Sequence, residues 1–145
     1  MIGKNVLAVA FLGLAGPALA EGDPAVGEKE FNKCKACHSI IADDGTAILK
    51  GGKTGPNLYG VFGRQAGSYP DAKYSDAMVA AGAKGLIWDT AQFVTYVQDP
   101  TAFLKTYLGD DSAKSLMFFK LTQKMEDVAA YLTSVGPAPS DAATN

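Results

Sequence analysis

The sequence predicts an all-α fold in which several short helices and long loops wrap around one large bound group. Apolar residues recur at helical spacing in several segments, and each segment has a capping residue or a stop signal. Residues 39–73 are rich in turn-forming residues and show no sustained strand alternation. Loops of this length are uncommon in a compact domain, and enclosing a rigid ligand would explain them.

The N-terminal segment, residues 1–20, has the pattern of a cleaved secretory signal peptide. Lys4 gives a positive start, Val6–Leu14 forms a short apolar run, and Ala18-Leu19-Ala20 is typical of a cleavage site. The apolar run is shorter than the ~20 residues that a membrane span requires, which argues against a membrane anchor. We therefore expect a soluble mature chain outside the cytoplasm.

The mature chain is expected to form one domain over residues 21–136, followed by a disordered C-terminal tail over residues 137–145. Loss of Lys4 from the 13 basic side chains leaves 12 of them against 15 acidic side chains. This mild negative balance argues against nucleic acid as a partner, because nucleic-acid binding needs a basic surface.

The first half of the mature chain contains two predicted helices with recognisable starts. Asp23 is a good helix cap and Pro24 is favourable at the first helical position, so a helix should run from there towards Cys34. Ser75 can cap a second, short helix that stops near Gly82. Between these helices we predict loop and no strands.

Two further helices are predicted in the second half of the chain. Asp89 can cap a helix that Pro100 ends, and Phe103-Leu104 is expected to form one further turn. The last helix should begin near Thr122 and end at Gly136, because the apolar residues between them recur at helical spacing.

Both cysteines of the chain and its only histidine lie in the segment Cys34-Lys35-Ala36-Cys37-His38. A thioredoxin-like redox pair has this cysteine spacing, but it sits in a βαβ fold and no such strands are predicted. A closed zinc site needs four ligands, usually in two separated pairs, and the sequence has no second cluster. Covalent haem attachment explains the whole segment, since C-x-x-C-H is its characteristic motif.

In the haem interpretation, the two thiols form thioether bonds to the haem, and His38 becomes an axial ligand of the iron. Spacing alone leaves methionine, lysine, tyrosine or an open position for the sixth ligand. Met78 and Met125 lie in predicted helices, where packing is the better interpretation. Met117 lies in a loop-like segment far from His38 in sequence, which favours it as the ligand.

Five motifs extend this pattern along the chain. They are GEKEFNKCKACH at Gly27–His38, KTGPNLYGVFGR at Lys53–Arg64, IWD at Ile87–Asp89, YVQDP at Tyr96–Pro100 and MFFKL at Met117–Leu121. In these motifs the chain resembles the class I cytochromes c, in particular the larger bacterial cytochromes c2, over about residues 22–136. The resemblance implies the fold of that family, one haem c per chain, and Met117 as the second axial ligand.

The resemblance also implies roles for residues around the haem. Pro56 would accept a hydrogen bond from His38 Nδ1–H through its carbonyl oxygen and so orient the imidazole. Tyr96 would lie near the Met117 sulfur, and Phe119 would shield the haem edge. The groups expected to hold the buried haem propionates are Arg64, Tyr74 and Trp88.

Two structural expectations complete the resemblance. The first and last helices would cross closely at Gly27, Phe31 and Tyr131. Compared with the shortest family members, the chain has extra residues around Asp43–Lys50 and Leu108–Leu116. The second insertion leaves open whether Ser115 supports a propionate or the ligand loop.

An iron with both axial positions filled by the protein cannot bind a substrate, so we expect an electron carrier and not an enzyme. The alternative is a haem protein with a labile Met117, which would bind small gases or act as a peroxidase. By resemblance, the donor would be a cytochrome bc1 complex. The acceptor would be a photosynthetic reaction centre, a terminal oxidase or a periplasmic reductase.

The carrier is expected to be a periplasmic monomer that meets its partners briefly. Weak redox encounters use small interfaces, and complementary charge raises the rate of association. A ring of lysines around the exposed haem edge would face acidic partners. Its members would be Lys33, Lys35, Lys53, Lys105, Lys114 and Lys120.

Overall fold

The computed structural model describes residues 22–137. The expected signal peptide (1–20) and nearly all of the expected tail (137–145) lie outside the described residues. Within the described range, no helix is both long enough and apolar enough to cross a bilayer.

Among residues 22–137, five short helices form most of the fold, and a small hairpin lies between the first two. The helices are α1 (Pro24–Glu30), α2 (Asp76–Ala83), α3 (Thr90–Gln98), α4 (Pro100–Leu108) and α5 (Met125–Val135), and the strands are β1 (Ile40–Ile41) and β2 (Ala47–Leu49). A 3₁₀ turn over Phe31–Lys33 follows α1 directly. The prediction of an all-α fold with long loops is therefore confirmed for the described residues.

The three helix caps expected from the sequence are present. The side chain of Asp23 accepts hydrogen bonds from the amides of Ala25 and Val26 at the start of α1. Ser75 caps α2 and Asp89 caps α3 in the same way. These starts could be predicted because a cap interacts only with the next few residues of its own chain.

The prediction that residues 39–73 contain no strands is wrong in one place. β1 and β2 pair antiparallel, with Ile40 opposite Leu49 and Ile41 opposite Ala47. The turn formers between them close a hairpin in which Gly45 adopts a left-handed conformation, with φ of +85°. Strands of two and three residues are too short to show an alternating pattern in the sequence.

The second half of the chain differs from the prediction at two helix boundaries. The expected turn at Phe103-Leu104 is part of the full helix α4, which Asp99 caps and which begins at Pro100. The last helix begins at Met125, three residues later than expected. Leu121 is held outside it, because its amide donates to the carbonyl of Val97 at 2.7 Å.

The first and last helices cross at a buried glycine, as expected. A Cβ atom on Gly27 would lie 1.9 Å from the carbonyl oxygen of Asp127 in α5, so no larger residue fits without movement. The rings of Phe31 and Tyr131 lie beside this crossing with their centroids 5.7 Å apart. The crossing joins the segment before Cys34 to the C-terminal helix and so anchors one side of the functional site.

Substitution of Gly27 tests the close crossing of α1 and α5, because the added methyl group has two opposite effects on the free energy of unfolding. Gly27→Ala should lower the free energy of unfolding by about 2–4 kcal/mol, because the added methyl forces the helices apart. Helix propensity alone would raise it by up to ~1 kcal/mol. Glu28→Ala, at the next and exposed position of α1, should change it by less than ~0.5 kcal/mol. Denaturant titration of both variants decides, and a stabilised Gly27→Ala protein would contradict the close crossing.

Candidate functional site

A cavity of about 460 Å³ lies inside the fold, bounded by the CKACH segment, the loops that follow it, α2, α3 and the loop over residues 113–121. Its lining is mainly apolar. All ten residues that the sequence analysis assigned to cofactor binding line it. They are Cys34, Cys37, His38, Pro56, Arg64, Tyr74, Trp88, Tyr96, Met117 and Phe119.

The CKACH segment forms one wall of the cavity because it coils tightly. The amide of Cys34 donates to the carbonyl of Phe31 at 2.8 Å, and the amides of Cys37 and His38 both donate to the carbonyl of Cys34. This turn brings two thiols and an imidazole to the same cavity.

The chemistry of the two cysteines argues against a redox pair or a zinc site. Burial, with a further contribution from the carboxylate of Glu30, raises the pKa of Cys34 to about 11, whereas redox-active thiols have a lowered pKa. Among residues 22–137, no three histidine, cysteine or acidic side chains are placed to share a metal ion.

His38 is held with one ring nitrogen free. Its Nδ1 lies 2.8 Å from the carbonyl oxygen of Pro56, and since a carbonyl can only accept, Nδ1 carries the proton. Burial lowers the pKa of His38, which favours the neutral imidazole. Nε2 therefore retains its lone pair and is available as a ligand.

The glycine-rich loop after the hairpin presses against the CKACH segment. A Cβ atom on Gly55 would lie 2.4 Å from Cε1 of the His38 ring, so only glycine lets the backbone approach this closely. The amides of Gly52 and Gly55 donate to the carbonyls of Lys35 and Cys37. The loop is thus a fitted support for the histidine.

Polar groups for a buried anionic substituent are present in the cavity wall. The guanidinium of Arg64 donates to the carbonyls of Asn57 at 2.8 Å and Tyr59 at 2.5 Å, which fixes its position. The hydroxyl of Tyr74 accepts from the amide of Tyr69 and retains its own proton for donation. Trp88 adds an indole N–H donor to the same lining.

Met117 lies in a different wall of the cavity from His38, and hydrogen bonds hold the loop around it. Its amide donates to Ser115 Oγ at 3.0 Å, and the hydroxyl of Tyr96 lies 3.1 Å from the same oxygen. The amide of Ser115 donates to Thr101 Oγ1 at 3.2 Å. The buried Ser115 thus supports the loop that contains Met117. It also connects the Tyr96 hydroxyl to the backbone of Met117.

Comparison with known proteins identifies the family in which this arrangement of residues occurs. No protein-family model matches the chain. It is 62% identical to cytochrome c2 of Rhodobacter capsulatus over 92% of this chain and 97% of that protein. It is 58% identical to cytochrome c-551 of Roseobacter denitrificans, over 93% and 95%. The solved structure of the Rhodobacter capsulatus protein covers 79% of this chain and 98% of its own, with a TM-score of 0.77 and 65% identity.

The chain belongs to the class I cytochromes c of the bacterial cytochrome c2 type. Proteins of this family are electron carriers and not enzymes, and they carry covalent haem c. The residues present fit that group. The cavity offers two thiols beside an imidazole, a thioether in another wall, and a cation and hydrogen-bond donors for carboxylates.

Two methionines of this cytochrome line the cavity. Met117 is partly exposed and sits in the loop, whereas Met78 is 6% exposed and sits in α2. Met125 does not line the cavity. The expectation that Met78 serves packing agrees with its burial, but its position makes it the natural comparison for Met117.

Two residues at the mouth of the cavity, Leu116 and Phe118, were not predicted from the sequence. Leu116 and Phe118 line the cavity beside Phe119, and they are 48%, 83% and 43% exposed in the order Leu116, Phe118, Phe119. Four consecutive apolar residues in a segment without helical periodicity were the available signal. Such a cluster of exposed apolar side chains marks an interaction surface.

The six predicted docking lysines differ in their surroundings. Lys33 lines the cavity and is paired with Glu30, and Lys120 is paired with Asp99 at 2.6 Å. Lys105 and Lys120 line a shallow pocket beside Met117. Lys35, Lys53 and Lys114 are exposed and have no ion-pair partner among residues 22–137.

The support of His38 can be tested at Gly55. Gly55→Ala should push the imidazole away from Pro56 and lower the free energy of unfolding by about 1–3 kcal/mol. Thr54→Ala, the exposed neighbour, is the matched control and should leave both properties near wild type. Denaturant titration measures the stability, and NMR of the Nδ1 proton reports the hydrogen bond. An unchanged Nδ1 proton in Gly55→Ala would show that the close approach does not position the ring.

Proposed function

We propose that this chain is a soluble periplasmic one-electron carrier in which haem c is bonded to Cys34 and Cys37. His38 and Met117 are its axial ligands. The observation that supports this proposal most is the cavity itself. It unites both thiols, the free Nε2 of His38, the thioether of Met117 and donors for carboxylates in one apolar enclosure.

The haem supplies one-electron chemistry at its iron when bound, and the chain determines the conditions for it. The Pro56 carbonyl fixes the tautomer of His38 and strengthens its Nε2 as a donor. Met117 is a soft, neutral donor that favours the reduced iron, and the apolar lining excludes water, so both raise the reduction potential. Because both ligands belong to the protein, gain or loss of an electron needs little rearrangement.

The sequence and the family support a periplasmic location and redox partners of the following kinds. Cytochromes of this type are typically periplasmic, and the signal-peptide pattern at residues 1–20 agrees with export. The donor is a cytochrome bc1 complex, and the acceptor is a reaction centre, a terminal oxidase or a periplasmic reductase. The chain acts as a monomer.

The mouth of the cavity has the composition of a transient docking surface. Exposed Leu116 and Phe118 supply apolar contact, and lysines around the mouth supply attraction at a distance. A small apolar centre with a charged rim allows fast association without tight binding. Such a surface suits a protein that must leave each partner after one electron.

Axial ligation by Met117 can be tested against the other methionines. Met117→Leu removes the only donor atom of the side chain while keeping similar volume. The oxidised variant should lose the weak red charge-transfer band of methionine–iron ligation. The reduced variant should bind carbon monoxide, and the reduction potential should fall strongly.

Two variants serve as matched controls for this test. Met78→Leu changes the other methionine of the cavity, and Met125→Leu changes one outside it. Both should keep the charge-transfer band and remain inert to carbon monoxide. Loss of the band in Met78→Leu would move the ligand assignment to α2. Ready carbon monoxide binding by the wild-type protein would favour the alternative with a labile methionine.

Charge steering can be tested by neutralising single lysines. Lys35→Gln should slow electron transfer with the cytochrome bc1 complex by about two- to fivefold at low salt, because Lys35 is an exposed residue within the CKACH segment. Lys84→Gln should have little effect, since Lys84 contacts Tyr107 and does not line the cavity. Rates measured over a salt series should fall for the wild-type protein. A flat salt series would remove the steering mechanism.

A further inference from the structure

We propose that Asp99 is a positioning residue for Met117, and that its ion pair with Lys120 is a latch that slows opening of the ligand loop. The latch rests on the proposed function, because it takes Met117 as the axial ligand. Its role is to keep the thioether in place and small molecules away from the iron.

Asp99 occupies the junction between α3 and α4, and its two carboxylate oxygens have separate partners. Oδ1 accepts from the amide of Ala102 at 3.0 Å and so caps α4. Oδ2 accepts from Lys120 Nζ at 2.6 Å. The hydrogen bond from Lys120, followed by that from Ala102, lowers the pKa of Asp99. The carboxylate of Asp99 thus connects the start of α4 to Lys120, which follows Met117 by three residues.

The loop around Met117 is held at both ends by other bonds. Before Met117, the amide of Ser115 donates a hydrogen bond to Thr101 Oγ1, and Ser115 Oγ lies within hydrogen-bond distance of the Tyr96 hydroxyl. After it, the amide of Leu121 donates to the carbonyl of Val97. Between these ends, the Lys120 side chain supplies a contact back to the helices.

Protein side chains leave space beside the middle part of the loop. Leu116, Phe118 and Phe119 line the cavity proposed for the haem, and a second pocket of about 340 Å³ lies beside Met117 and Phe118. Asp99 and Lys120 both line that second pocket, so their ion pair borders space that other side chains do not fill. A surface ion pair usually contributes little to stability. Here few other contacts hold the same part of the loop, so the ion pair has more influence on how often the loop opens.

The latch predicts faster loop opening when its charges are removed. Imidazole binding to the oxidised holoprotein reports this, since at saturating imidazole the rate is limited by release of Met117. Asp99→Asn and Lys120→Gln should each raise that limiting rate by about two- to fivefold at low salt. Asparagine still caps a helix, so Asp99→Asn removes the charge and keeps the start of α4.

Two comparisons separate the latch from a general charge effect. The double variant Asp99→Asn/Lys120→Gln should be no faster than either single variant, because both break the same contact. Lys114→Gln removes one positive charge from the same loop without breaking an ion pair among residues 22–137, and should leave the rate unchanged. High salt should accelerate the wild-type protein and leave Asp99→Asn unaffected.

Native-state hydrogen exchange of the Met117 amide gives a readout that does not involve the iron. Exchange should be faster in Asp99→Asn and unchanged in Lys114→Gln. A limiting rate and an exchange rate that both equal wild type in Asp99→Asn would overturn the latch alone. Additive single variants would overturn it as well. An oxidised wild-type protein that lacks the methionine–iron charge-transfer band and binds imidazole without a plateau would instead overturn Met117 as the ligand, and the latch with it.

Discussion

The hydrogen bond from His38 to the carbonyl of Pro56 is the interaction on which the site depends. It selects the tautomer of the imidazole, leaves Nε2 free and joins the CKACH turn to the loop that wraps it. Gly55 makes the bond possible, because any side chain there would occupy the space of the ring. The crossing of α1 and α5 at Gly27 then holds the whole attachment segment against the C-terminal helix.

The two walls that supply candidate iron ligands are stabilised by different physical means. The histidine wall is fixed by backbone hydrogen bonds and by close contact between main chains, which leaves it little freedom. The Met117 wall is held mainly by side-chain hydrogen bonds through Ser115 and by the ion pair of Lys120, while its apolar residues line the mouth of the cavity. This contrast suits the proposed carrier, in which His38 would be a firmly fixed ligand and Met117 would lie in the wall nearest the docking surface.

The sequence could predict those parts of the fold that local chemistry determines. The caps at Asp23, Ser75 and Asp89 act within one turn, and C-x-x-C-H contains the whole attachment site in five residues. The resemblance to the class I cytochromes c added residues that are distant in sequence, and those that it assigns to the haem all line one cavity. The short hairpin escaped prediction because its strands are too short to show a period.

Other features could not be read from the sequence because they join distant residues. The bonds of Arg64 to Asn57 and Tyr59, the contact of Ser115 with Tyr96, and the pairing of Lys120 with Asp99 have no local pattern. Lys120 illustrates the difference, since the sequence predicts a docking lysine and the structure shows a lysine that is paired with Asp99.

Ligation of a haem iron by both His38 and Met117 can be tested by NMR of the reduced protein with ¹³C-labelled methionine methyl groups. A methyl group bonded through sulfur to the iron would lie over the porphyrin and would be shifted strongly upfield by its ring current. We expect one such signal, assigned to Met117. Absence of the signal, or its assignment to Met78, would show that Met117 is not the ligand.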